Sequence, residues 1–158
     1  MKDAPFMLEW MHEESVVKYL HTNFSEKTIE DCYAFITDAK QNKYNFHLAV
    51  ADENDEYMGT ASLKNISNGT AEFAITIRPC AMGKGYSKFA MEYIIEKGFN
   101  ELKLSSIYWC VSRENERAIR FYDKNGYRKV SPETLNIKGN YSASQIGNYL
   151  WYSVTREQ

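Results

Sequence analysis

A short strand that stops at a proline and re-enters a helix across two glycines is the strongest constraint in this sequence. Residues 70–77, Thr-Ala-Glu-Phe-Ala-Ile-Thr-Ile, are β-branched and apolar and follow the turn pair Asn68-Gly69, so they read as a strand. Arg78-Pro79-Cys80-Ala81-Met82 leads into Gly83-Lys84-Gly85, after which Tyr86, Phe89, Ala90, Tyr93 and Ile94 recur at helical spacing. Glycines on both sides of Lys84 let the backbone aim its N–H groups at one point. The start of the next helix adds roughly +0.5 of an elementary charge there. Such a junction suits a pyrophosphate, and a plain loop with helix-start glycines is the competing reading. A Walker loop is excluded because G-x-x-x-x-G-K-[ST] is absent, and the dinucleotide fingerprint fails at Lys88, where a third glycine would stand.

The elements around this junction predict a mixed α/β sheet. Asp3 and Pro5 start a first helix through Phe6, Leu8, Trp10 and Met11. A short helix follows over 14–20. Ser25 or Thr28 caps a third, whose stripe is Ile29, Cys32, Tyr33, Phe35, Ile36 and Ala39. Strands at 45–51, 57–66 and 70–77, joined by polar turns, make an antiparallel meander. A helix over 84–99, a strand over 106–112 and a helix over 115–124 come next, the last closed by Asn125-Gly126. Strands begin at 127 and 148, and 131–147 shows no period. The expected organisation is one domain over residues 1–158.

Composition removes several function classes. With 44% hydrophobic and 25% charged residues the chain is in the globular range, and a net charge of −2 favours neither nucleic acid nor an anionic membrane. No apolar run reaches transmembrane length and no signal-peptide pattern opens the chain. Cys32, Cys80 and Cys110 are odd in number and widely spaced, which argues against a disulfide framework or a metal site and for a reducing cytoplasm.

Two motifs carry a family resemblance. Ile77-Arg78-Pro79 with Gly83-Lys84-Gly85-Tyr86-Ser87 resembles the acetyl-CoA pyrophosphate loop of the GNAT N-acetyltransferases. Downstream, Asn115-Glu116-Arg117-Ala118 continuing through Tyr122-Asp123-Lys124-Asn125-Gly126-Tyr127 resembles their N-x-x-A-x-x-x-Y-x-K-x-G-[FY] signature. The pair in this order is far more specific than either alone, and the resemblance covers residues 3–130.

The resemblance implies a mostly antiparallel twisted sheet, splayed into a V that admits acetyl-CoA. Pantetheine would bond the open backbone of Ile75 and Ile77, and the phosphates would sit on Met82, Gly83, Lys84, Gly85, Tyr86 and Ser87. Lys84 is alternatively a solvated side chain. Asn115 and Lys124 would join the cofactor site, and Asn115 is equally a helix N-cap. Where the family usually has Arg or Gln three positions before the first glycine, this chain has Cys80, which removes one phosphate contact. Tyr122 matches the tyrosine that protonates the departing thiolate. Glu72 is the base by its place on the strand that shapes the acceptor pocket, acting directly or through water, or else is an exposed strand glutamate.

The family's first strand is largely missing ahead of the first helix, so that edge is bare, or covered by a partner chain or by 131–147. A homodimer is the expectation, and light scattering at micromolar concentration tests it. The acceptor, a small molecule or peptide amine, would be bounded by 10–24 and 131–148. Leu8-Glu9-Trp10-Met11-His12 resembles the branch that includes ribosomal-protein N-terminal and amino-sugar or nucleotide-sugar acetyltransferases. Trp10, Tyr19 and Phe24 either stack on the acceptor or pack the helices. No acidic cluster points to a polyamine, although Glu13-Glu14 leaves one open. The rival from another class is a non-catalytic acyl-CoA sensor, against which Tyr122 and Asn115 argue.

Overall fold

The computed structural model describes residues 1–157. Three helices come first: α1 (Ala4–Met11), α2 (Glu14–Val17) and α3 (Ile29–Ala39). Then come β1 (Phe46–Ala51), β2 (Tyr57–Ser67), β3 (Thr70–Ile77), α4 (Tyr86–Asn100), β4 (Ser106–Ser112), α5 (Glu116–Lys124), β5 (Arg128–Val130), α6 (Ala143–Asn148) and β6 (Tyr149–Thr155). Thr28 caps α3 through a reciprocal pair with Asp31, which leaves Ser25 outside the cap. Asp3 does not cap α1, because it sits in helical geometry with no side-chain bond to the helix. The second helix ends at Val17, three residues short of the expected end, and none of its residues is buried.

The six strands run in the order β1-β2-β3-β4-β6-β5, and every neighbouring pair is antiparallel except β3 with β4. That parallel pair is short. Thr70, Ala71 and Glu72 meet Ser106, Ile107 and Tyr108, and no further pairing follows. From Phe73 and Trp109 onward the two strands part, so the sheet opens towards the glycine loop. The mixed sheet splayed at a V is the fold expected from the sequence.

Two apolar clusters hold the molecule. The larger lies between the sheet and α4–α5, with Leu63, Phe73, Met91, Ile94, Ile107, Trp109 and Tyr152 buried. The smaller joins α1 and α3 to Tyr57, whose hydroxyl takes the indole N–H of Trp10 (2.9 Å). Arg78 locks this helical layer to the start of the glycine loop. Its guanidinium bonds Glu9 (3.1 Å), Glu56 (2.9 Å) and the Tyr57 carbonyl (2.9 Å), and lies over the Phe6 ring.

Among the described residues no strand precedes α1, and β1 is the sheet edge. Residues 131–147 do not cover that edge. They carry a single 3-10 turn and α6, and between these the chain crosses the sheet face beside Glu72. No described helix is long and apolar enough to cross a membrane.

Candidate active site

The cofactor side is made of backbone. Arg78 N donates to Met58 O (2.8 Å), so alternation along the antiparallel ladder turns Thr76 and Ala74 towards β2. Phe73, Ile75 and Ile77 therefore turn their N–H and C=O groups towards β4, where the strands have parted. Their side chains pack under α4, in or against the larger core. At the loop, Gly83 and Gly85 take positive φ (77° and 87°), and a Cβ on either would meet nothing within 4 Å. The backbone N–H groups of Gly83 through Lys88 have no acceptor among the described residues. Open strand amides leading to six free N–H groups on a helix start fit pantetheine and a pyrophosphate.

Side chains add little to this cradle. Lys84 and Lys124 are exposed and form no ion pair among the described residues, and Cys80 is an exposed thiol. Asn115 is the α5 N-cap, its side-chain oxygen accepting from Ala118 N (3.2 Å). Its amide nitrogen makes no bond among the described residues and is available to a ligand. Arg117 Nη1 lies 3.2 Å from Met82 Sδ, which ties α5 to the glycine loop and brings the two motifs together.

Tyr122 is buried against Trp109, Tyr152 and Tyr127, with ring centroids 5.4, 5.1 and 6.4 Å away. Trp109 is the first β4 residue beyond the paired segment, so Tyr122 stands at the root of the V. Burial pushes its hydroxyl well above the ordinary tyrosine range, with smaller contributions from Cys110, Tyr152 and Tyr127. It stays protonated at neutral pH, and its hydroxyl has no hydrogen-bond partner among the described residues.

Glu72 closes the same root from β3. It is 3% exposed, which removes the reading as an exposed strand glutamate. Tyr141 donates its hydroxyl to Glu72 Oε1 (2.5 Å), Lys64 Nζ lies 4.0 Å from the same oxygen, and Oε2 is buried without a partner. Cys110 Sγ, on β4, reaches the Tyr141 hydroxyl at 3.5 Å. Burial, then the neighbouring Cys110 and Glu72, pushes the Tyr141 hydroxyl far up, and burial pushes the Cys110 thiol up to about 11. Cys110 is therefore a neutral thiol and no nucleophile at neutral pH.

A cavity of about 280 Å³ opens beside this carboxylate. His21 and Thr22 line it from the loop after α2, Lys64 from β2, and Lys138 to Tyr141 from the segment before α6. His21 stacks on Tyr141, with ring centroids 4.5 Å apart. Both expected segments thus reach the cavity, but through residues other than those singled out. Trp10 is 4% exposed in the smaller core with Phe24 edge-on to it (5.1 Å), and Tyr19 packs under Lys18. None of the three lines the cavity, because the smaller core takes Trp10 and Phe24 and the Tyr19 ring lies under Lys18. Tyr141 and Gly139 were not legible as site residues, although a long aperiodic stretch inside a compact chain is itself a functional signal.

Residues 1–128 match the family model for the acetyltransferase (GNAT) domain. The chain belongs to the GNAT acetyltransferase family. A spermidine N(1)-acetyltransferase of Escherichia coli K12 is 30% identical over 148 residues, spanning 89% of this chain and 76% of the relative. An uncharacterised N-acetyltransferase, p20, of Bacillus licheniformis is 27% identical over 134 residues, with 82% and 75% covered. In structure, the spermidine N-acetyltransferase of Vibrio cholerae in complex with CoA and spermine superposes with a TM-score of 0.79 at 20% identity, covering 99% of this chain and 91% of that one. The GNAT chain is an acetyl-CoA-dependent N-acetyltransferase. These relatives do not single out the branch of ribosomal-protein and amino-sugar enzymes. Among the described residues no group of three or more His, Cys, Asp or Glu is placed to hold a metal.

Proposed function

We propose that this acetyltransferase acetylates a primary amine of a small molecule by direct attack in a ternary complex. The observation that carries the reading is Glu72, buried at the root of the V with Tyr141 on one oxygen and the cavity beside it. The amine nitrogen forms its bond to the thioester carbonyl as the carbon–sulfur bond breaks. Tyr122, protonated and at the root of the V, gives its proton to the departing sulfur.

Glu72 takes the amine proton through the Tyr141 hydroxyl. Its Oε1 is held by that hydroxyl and its Oε2 is sealed, so Tyr141 is the group the amine meets. Tyr141 accepts the amine proton as it passes its own to Glu72, so it never ionises, in keeping with its raised pKa. Lys84 and Lys124 are supplementary charges near the phosphates, and Asn115 offers its free amide to pantetheine. The relatives bring spermidine forward as an acceptor, and the sequence brings forward an amino sugar, a nucleotide-linked amino sugar or a protein N-terminus. The cavity's volume, about 280 Å³, favours a small molecule over a protein chain.

Thiol release from acetyl-CoA with a panel of amines is the test. Glu72→Gln and Tyr141→Phe are expected to lower turnover by ~10²–10⁴, and Tyr122→Phe by ~10², the range of a single proton-transfer group. Full turnover in Glu72→Gln would remove Glu72 from the reaction.

A further inference from the structure

We propose that the acceptor is an amine with an anionic group, carboxylate or phosphate, a few bonds from its nitrogen, and that Lys64 and Lys138 hold that group. This rests on the cavity being the acceptor site. Ten residues line it, and Glu72 is the one acid among them, against two lysines. Asn45, Asn65 and Thr22 add uncharged polar groups suited to a hydroxylated or phosphorylated body.

The two lysines are set differently. Lys138 is anchored: its backbone N–H donates to the Tyr108 hydroxyl (3.2 Å) and its ammonium donates to Ser67 Oγ (2.6 Å) and Ser67 O (3.4 Å). Two of three ammonium donors are spent, and one remains. Lys64 faces Glu72 at 4.0 Å, too long for a hydrogen bond, and makes none elsewhere among the described residues. Its donors are free for a ligand.

These lysines do not serve the cofactor phosphates. Glu72, paired with Lys64, lies five residues upstream of Ile77, about 17 Å along an extended strand from the end of β3 that leads into the glycine loop. Nor does the site suit a polyamine. Once the reacting nitrogen sits against Tyr141, every further cationic nitrogen meets a lysine and no second carboxylate. On charge alone this cavity departs from what the spermidine-named relatives would suggest.

Matched amines decide the point: phosphoethanolamine against ethanolamine, glucosamine 6-phosphate against glucosamine, β-alanine against its amide, and spermidine. The anionic member of at least one pair is expected to have kcat/KM higher by about tenfold or more, as two half-exposed ion pairs supply. The phosphate and carboxylate pairs show which anion is taken. Lys64→Met and Lys138→Met bring that ratio towards one, and Lys138→Arg restores part of it. Equal rates within every pair, or spermidine as the best acceptor, overturn the anion seat while leaving the acceptor site in place. Ratios unmoved by either lysine variant also overturn it. No turnover with any amine removes the acceptor site and this proposal with it.

Discussion

Along β3, Phe73, Ile75 and Ile77 face the open cleft with backbone groups, whereas the adjacent Glu72 faces the proposed acceptor cavity with a side chain held by Tyr141, 69 positions away. The cofactor half uses amides that any sequence supplies once it makes a strand, a glycine turn and a helix start. The acceptor half uses side chains from β2, β3, the loop after α2 and the segment before α6, none of which is a site alone. A backbone cradle tolerates a missing contact such as that at Cys80. A side-chain site does not tolerate the loss of one member, because the remaining buried polar groups lose their partners.

The largest expected effect tests whether the acceptor half acts as a unit. If Tyr141 relays to Glu72, removing both loses little more than removing one. Glu72→Gln with Tyr141→Phe is expected to match the worse single variant, ~10²–10⁴ below wild type, instead of the product of the two losses. Single-turnover rates at saturating acetyl-CoA measure it. Losses that multiply would mean two independent roles and would break the relay. Acetyl-CoA affinity stays at the wild-type value in all three variants, since neither side chain reaches the open strand amides.

That division also explains which parts of the molecule could be read ahead of the structure. Strands β1 to β4 and helices α4 and α5 follow from short-range signals: alternation, Asn68-Gly69, the glycine turn and the Asn115 cap; the opening of the sheet was implied by the family resemblance those motifs carry. The cofactor half is local, so it was legible. Trp10 and Phe24 show the limit. A large aromatic on or beside a helix reads the same whether it packs on the core or on a ligand, and here the smaller core takes both. Tyr141 was invisible because its role depends on a stretch without period crossing the sheet face. Lys64 and Lys138 become a pair only through strand register and that crossing.

Two glycines offer the next contrast, one on each side. Gly139 has a backbone any residue can adopt, but a Cβ there would lie 2.7 Å from Tyr141 Cε2 and 3.3 Å from Glu72 Oε2. Gly139→Ala therefore displaces Tyr141, and turnover is expected to fall by ~10², the cost of misplacing a reacting group by about 1 Å, with acetyl-CoA affinity unchanged. Gly85 is the opposite case, with open space around it and φ at 87°. Gly85→Val pays for the left-handed conformation, about 1–2 kcal/mol, and either destabilises the fold by that much or shifts the cradle and weakens acetyl-CoA binding by about tenfold. Calorimetric titration with acetyl-CoA and thermal unfolding separate the outcomes. A Gly139→Ala protein with lost cofactor affinity and normal turnover would reverse the assignment of the two halves.

The smallest effect concerns pH and again falls on the acceptor face. His47 on β1 bonds Ser62 (2.6 Å), packs on Phe35, and lies on the same sheet face as Lys64. Burial, then the Lys64 charge, lowers its pKa from 6.5, against a weaker opposing pull from Asp38. The folded state thus prefers the neutral ring while the unfolded chain takes up a proton near 6.5, so this contribution to stability is complete above that pH. It is lost as pH falls through 6.5 towards the folded value. Thermal unfolding of the wild type is expected to show a lower midpoint at pH 5.5 than at pH 7.5, with His47 responsible for less than about 4 °C of the difference. His47→Asn keeps a polar partner for Ser62 and removes the titration, so its midpoint falls by less over the same interval. An equal fall in both proteins would assign the acid sensitivity to other groups and leave His47 as a packing residue under α3.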